Sequence, residues 1–178
     1  MAETGPRKYG IPFDVKPHVY DPAANPELFE GVLARRVLAF LIDVVIIAAP
    51  MVLIALFILI FGIITFGLGW ALFFLYYPVG VLWALFYYGI TLGGPYSATV
   101  GMRVMDIEMR TWYGAPAYFV LGAAHALLYW ISVSLLTPLI LLVALFNERR
   151  RLLHDMLLGA VIINNPYRAE AMRRTWSR

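Results

Sequence analysis

Six residues carry most of the chemistry this sequence can offer: Arg35, Arg36, Asp43, His125, His154 and Asp155. Asp43 is the only charged side chain between Val37 and Gly101, in a stretch made mostly of aliphatic and aromatic residues. A carboxylate at the centre of an apolar helix costs about 2.5–3.5 kcal/mol on insertion scales, and such residues tend to mark ion or substrate sites. It can be neutralised by a proton, by an arginine or by a bound cation. A carboxylate that alternates between proton and cation is the minimum chemistry of a proton-coupled exchanger. A polar clamp that holds membrane helices together is the competing reading, and the sequence leaves both open.

Arg36 and Asp43 are seven residues apart. On a helix they share a face but sit about 10.5 Å apart along the axis. Direct helical ion pairs join residues three or four apart, so each needs a partner from elsewhere. Asp155 is the natural third member, pairing with Arg36 near the headgroups while Asp43 lies deeper. His125, alone in an apolar segment, reads as hydrogen-bonded to a neighbour. His154 and Asp155 are adjacent and do not face the same way on a regular helix, so no metal site is expected from them. Ser132 and Ser134 have no base nearby, and Gly93-Gly94-Pro95 is not a phosphate loop. No enzyme, cofactor or metal is expected.

The segments that position these residues are apolar. The chain has 178 residues, of which 62% are hydrophobic. The excess falls in residues 37–92 and 118–146, each run longer than the ~20 residues that cross a bilayer. An all-α membrane protein follows, with the lipid bilayer as its first partner. Its spanning helices run from Val32 to about Leu59, with a kink at Pro50, and from Trp70 to about Leu92. Glycines 62, 67 and 69 flank the turn between them. Residues 118–146 form a third long helical segment, about 43 Å if straight, which either spans at a tilt or re-enters. Ser132, Ser134, Thr137 and Pro138 sit in its middle. Residues 93–116 connect, with a near-alternating strand pattern over 103–110 and a turn at Trp112-Tyr113-Gly114. Residues 152–163 read as a short surface helix that turns at Gly159 into a strand, and the two strands would pair as a small cytoplasmic element.

Residues 1–30 are a polar, proline-rich arm, which reads as a disordered tail or, in the competing reading, as an arm docked through Tyr9, Ile11, Phe13, Val19 and Tyr20; residues 31–164 form the membrane domain; residues 165–178 are a basic tail. The arm lacks the apolar core of a signal peptide, so the first helix is expected to stay as an uncleaved anchor. There is no cysteine, which excludes disulfides and thiolate chemistry. The basic residues border the apolar runs, as topology signals and headgroup contacts do, and nucleic acid is not an expected partner. Arg149, Arg150 and Arg151 read as an orientation anchor on anionic lipid. Arginines precede the first helix and follow the third segment, which puts both termini in the cytoplasm. Either the third segment turns back, the reading we favour, or one terminus breaks the rule.

Three ordered motifs resemble the RDD family of bacterial membrane proteins. ARRVLAFLID resembles the family opening, placing its arginine at Arg36, a small residue at Ala39 and its first aspartate at Asp43. SATVGMRVMDI resembles the Thr-Leu-Gly-Lys-Arg stretch at Thr99, Gly101 and Arg103. RRRLLHDMLLGAVII resembles the closing pattern, with the second aspartate at Asp155 and the glycine at Gly159. Departures are Met102, Asp106, Glu108 and Ala160, where the family commonly has lysine, glycine, a basic residue and threonine. The resemblance implies an inner-membrane protein and suggests transport, including sodium/proton exchange. Too few helices enclose a pathway, so a transporter would form a homo-oligomer in which several Asp43 carboxylates line one lumen. The alternative is an accessory subunit of a larger membrane complex.

Overall fold

The computed structural model describes residues 20–136, 138–146 and 148–177. Most of the proline-rich arm, with Tyr9, Ile11, Phe13 and Val19, lies outside the described residues, as does Thr137.

The first helix, α1, runs over Val32–Ile64 and continues through Pro50. Its 33 residues span about 50 Å, well beyond a hydrocarbon core of ~30 Å. The excess leaves room for Arg35 and Arg36 at one edge. A turn at Phe66-Gly67, both with positive φ, reverses the chain. The Trp70 indole folds back over Gly62, where any Cβ would collide with it, and its Nε1 donates to Leu59 O at 3.3 Å. A short 3-10 turn over Leu68–Leu72 leads into α2, Phe73–Leu92. Both helices are long and apolar enough to cross a membrane, and very little of either is buried. Leu53, Phe57, Ile64 and Phe74 are all more than 60% exposed. Contiguous apolar surface on that scale is the pattern of helices solvated by lipid.

The third apolar segment divides into α4, Phe119–Leu136, and a 3-10 run over Pro138–Leu145. Between α2 and α4 lies a short helix, α3, Val100–Val104, followed by β1, Ile107–Thr111. The alternation over 103–110 therefore overstates the strand, whose first part is helical. Thr99 starts α3 by accepting the Met102 N–H at 3.1 Å, a capping bond that overrides the alternating pattern. After the third segment come α5, Leu153–Leu157, β2, Ala160–Asn164, and α6, Pro166–Trp176. Gly159, at φ +62°, makes the turn from α5 into β2. The strands pair antiparallel, with Met109 opposite Ile162 and Thr111 opposite Ala160. The turn after β1 closes with Thr111 N donating to Ala115 O at 2.9 Å.

The core lies where this sheet meets the helix ends. Val32 and Ala39 of α1, Leu92 of α2, Met102 of α3, Leu121 of α4 and Ile107, Met109, Ala160 and Ile162 of the strands pack as one cluster. Glycines bring α2 and α4 close: a Cβ on Gly122 would stand 2.8 Å from both Leu92 Cβ and Tyr88 O. Small residues at such crossings let membrane helices gain van der Waals contact that lipid would otherwise supply.

Residues 165–178, read from sequence as a basic tail, contain the α6 helix. Asn165 accepts the Arg168 N–H at 2.9 Å, and Pro166 occupies the first helical position, where no N–H is needed. Arg173 reaches Glu27 at 3.0 Å, and Asn164 Nδ2 donates to the carbonyls of Glu27 and Glu30. The end of the described chain is thereby tied to the residues that lead into α1.

Candidate functional site

Two buried carboxylates organise the end of the bundle nearest the sheet. Asp43, on α1, is 3% exposed. One of its oxygens, Oδ1, accepts from the Tyr87 hydroxyl at 2.6 Å and from Gly101 N at 2.8 Å. The other accepts from the Thr99 hydroxyl at 2.6 Å. Both hydroxyls are oriented by backbone donors: Val100 N–H reaches Tyr87 Oη at 3.3 Å, and Met102 N–H reaches Thr99 Oγ1. With a lone pair of each hydroxyl occupied, its proton points at Asp43. The carboxylate thus faces three donors drawn from α2, α3 and the residue that caps α3.

Gly101 makes this possible. A Cβ there would stand 2.1 Å from Ala39 O, so α3 lies backbone to backbone on α1. Ala39, one turn before Asp43, is correspondingly small. Arg35 secures the far end of α3 by donating from Nη1 to Met105 O at 2.6 Å. Arg103 turns away from the site, donating to Ala98 O and lying over the Tyr96 ring.

The second carboxylate, Asp155 on α5, is fully buried. Arg36 Nη1 meets its Oδ2 at 2.6 Å and also reaches Arg150 O at 3.3 Å. The same Oδ2 accepts Leu152 N–H at 2.8 Å, which holds the first turn of α5 in place. His125 Nε2 lies 2.8 Å from Oδ1, and His154 Nε2 lies 3.4 Å from it. The sequence reading that His154 and Asp155 face apart is corrected here. In this five-residue helix the two side chains lie together, and α4 brings His125 against both, its ring meeting that of His154 edge to face at 4.6 Å. Burial alone would push Asp155 up, but Arg36, helped by His125 and His154, outweighs it and holds the carboxyl well below the usual range. Burial pushes His154 down to about 3 against the pull of Asp155, so its imidazole is neutral at pH 7.

A cavity of about 340 Å³ joins the two centres. Asp43, Arg36, His125 and His154 border it, and the remaining wall is mostly apolar or aromatic, including Phe40, Tyr88, Met102 and Tyr129. All six sequence candidates lie at this end of the molecule, though Arg35 serves α3 and not the cavity. Asp43 faces the interior of its own chain.

The arginine run is not one anchor. Arg151 is buried, donating to Ala160 O at 2.8 Å and Asp155 O at 2.9 Å with its guanidinium 4.4 Å from the centre of the Trp112 ring. It joins α5 to β2 and cannot contact lipid headgroups. Arg149 donates to Tyr20 O at 3.3 Å, and Arg150 donates to Leu145 O at 3.3 Å.

Sequence reasoning passed over Tyr87 and gave Thr99 and Gly101 no role. Tyr87 was one of many aromatics in α2. The signal at Thr99 was available, since a threonine that opens a short segment of mixed polarity is a helix-cap pattern.

A model of the RDD family matches residues 31–159, which include both carboxylates, the α3 contact and α5. The chain belongs to the RDD family. RDD proteins are membrane proteins, in keeping with the two apolar helices. No curated protein and no solved structure matches the chain.

Proposed function

We propose that this RDD protein transports a small cation across a bacterial inner membrane in exchange for protons, with Asp43 as the coupling carboxylate. One observation carries the reading. Arg36 balances Asp155 at 2.6 Å, whereas Asp43 has no ion pair among the described residues. The cavity therefore borders one negative group in excess. An ionised carboxylate offers about four acceptor sites. Three are used at Asp43, and one remains for a proton or a cation.

The clamp and the coupling readings meet in the same three hydrogen bonds. A proton or a cation taken at the remaining site draws negative charge from both oxygens. It thereby weakens the charge-assisted bonds from Tyr87, Thr99 and Gly101, and with them the hold of α1 on α2 and α3. Occupancy of Asp43 is thereby linked to helix position, which an exchanger requires.

Everted membrane vesicles containing the protein test this. Adding Na⁺ or K⁺ should release protons from energised vesicles, and Asp43→Asn should lower that flux at least about 100-fold while the protein still inserts, in the range lost when a positioned proton-transfer group is removed. Wild-type vesicles with no cation-dependent proton flux would sink the proposal. The accessory-subunit reading would then take its place, using the exposed aromatic face of α2 at Phe74 and Tyr77 as its contact surface.

We also infer that both termini are cytoplasmic and that residues 118–146 turn back within the membrane. His125, near the start of this segment, touches Asp155. Leu145, at its end, bonds Arg150, whose carbonyl accepts from Arg36. Both ends thus lie beside the start of α1. Because the chain has no cysteine, single introduced thiols report on this without background. An impermeant maleimide should label Phe66→Cys on intact cells and should label Tyr113→Cys and Ser177→Cys only after lysis. Labelling of Ser177→Cys on intact cells would mean three full crossings instead.

A further inference from the structure

The geometry points to a binding site for one divalent transition-metal ion of the Zn²⁺ class, held by His125 Nε2, His154 Nε2 and Asp155 Oδ1. Three observations carry it. The three residues offer ligand atoms that all lie within 4.8 Å of one another. Around a tetrahedral ion with bonds of ~2.0–2.1 Å, donor atoms stand about 3.3 Å apart. The distances here are 2.8 Å from His125 Nε2 to Oδ1 and 3.4 Å from His154 Nε2 to Oδ1, so small side-chain rotations convert one arrangement into the other.

The second observation is an orphan. His154 is 2% exposed, and its Nε2 makes no hydrogen bond although Oδ1 lies 3.4 Å away. Buried polar atoms are almost always satisfied, and one that is not calls for an ion, a water or a catalytic role. A metal ion between the two imidazoles and the carboxylate satisfies it.

The third is the division of labour on Asp155. Its Oδ2 is taken by Arg36 Nη1 and Leu152 N, leaving Oδ1 to the histidines. Metal-bound carboxylates are commonly oriented in this way by hydrogen bonds to the other oxygen. Two imidazoles and one carboxylate suit Zn²⁺, Co²⁺ or Ni²⁺ rather than Mg²⁺ or Ca²⁺, which prefer oxygen alone. His125 and His154 both border the cavity, so the fourth ligand comes from that side. Asp155 and Asp43 offset two of the three positive charges that the ion and Arg36 bring together.

The site concerns equilibrium binding and stands whether or not the cavity conducts. Purified protein in lipid nanodiscs, stripped with chelator, should take up one Co²⁺ per chain with the intense visible bands of a four-coordinate ion, displaced by Zn²⁺. X-ray absorption at the zinc edge should show light-atom ligands at about 2.0 Å with the scattering of two imidazoles. His125→Ala and His154→Ala should each weaken Co²⁺ binding at least about 10-fold, the least that losing even a group that only orients a ligand costs. Absence of saturable Co²⁺ uptake, a zinc spectrum without imidazole, or wild-type affinity in the double variant would each overturn the site. The wild-type spectrum decides the matter even if a variant fails to fold.

Discussion

Arg36→Ala is expected to lower stability by about 3–5 kcal/mol, the cost of removing one partner from a buried ion pair. The loss goes beyond one hydrogen bond because Asp155 stays behind. It is fully buried, it holds the first turn of α5 through Leu152 N, and without Arg36 its carboxylate loses its arginine partner. The guanidinium also serves Arg150 O, so the chain entering α5 loosens as well. Arg36→Lys should fall between wild type and Arg36→Ala. A lysine keeps the charge, but its shorter side chain does not carry the ammonium to where Arg36 Nη1 serves both acceptors. The double variant Arg36→Ala/Asp155→Ala should be more stable than Arg36→Ala alone, because the unpaired charge is gone. Unfolding in mixed micelles, followed by helix content against the mole fraction of SDS, measures the series. An Arg36→Ala variant within 1 kcal/mol of wild type would mean that water already reaches Asp155.

Gly101→Ala is expected to destabilise by about 3 kcal/mol, the upper range for overpacking a close contact. The added methyl would lie 2.1 Å from a backbone carbonyl, Ala39 O, which has no rotamer with which to yield. Relief requires α3 to lift from α1. That motion draws Gly101 N and Thr99 Oγ1 away from Asp43, so the two hydrogen bonds at 2.8 and 2.6 Å lengthen together. A second signature follows: transport should fail in Gly101→Ala although every charged residue is intact. Val100→Ala, one position away and 37% exposed, is the matched control and should lie within about 0.5 kcal/mol of wild type. Equal stability of the two variants would show that α3 does not rest on α1 in the membrane.

Much of this architecture is readable from residue type and spacing. Hydropathy and glycine placement located α1, the turn and α2, because the bilayer demands long apolar runs and turns need positive φ. The seven-residue gap between Arg36 and Asp43 ruled out a mutual pair and sent each to a partner elsewhere, and Arg36 does meet Asp155. β2 announced itself by β-branched residues after Gly159. The third segment was less legible, because apolarity is the same for a helix that crosses and one that turns back.

Position 43 shows where residue order stops being informative. Proton, arginine and cation were the neutralisers foreseen, whereas two hydroxyls and one amide hold the carboxylate from sites 44, 56 and 58 residues away. Arg151 is a similar case: three consecutive arginines look alike in a string, yet one of them is buried among carbonyls and a tryptophan ring.

Composition and hydropathy by themselves determined that this is a membrane protein with two helices long and apolar enough to cross, and that charged residues gather at the edges of the apolar runs, because solvation by lipid acts on each segment almost independently. Only the tertiary structure decided which donor meets which carboxylate and that two histidines converge on one oxygen. Those pairings depend on a few ångströms of approach between distant segments, and that approach is set by Gly101 and Ala39 lying backbone against backbone.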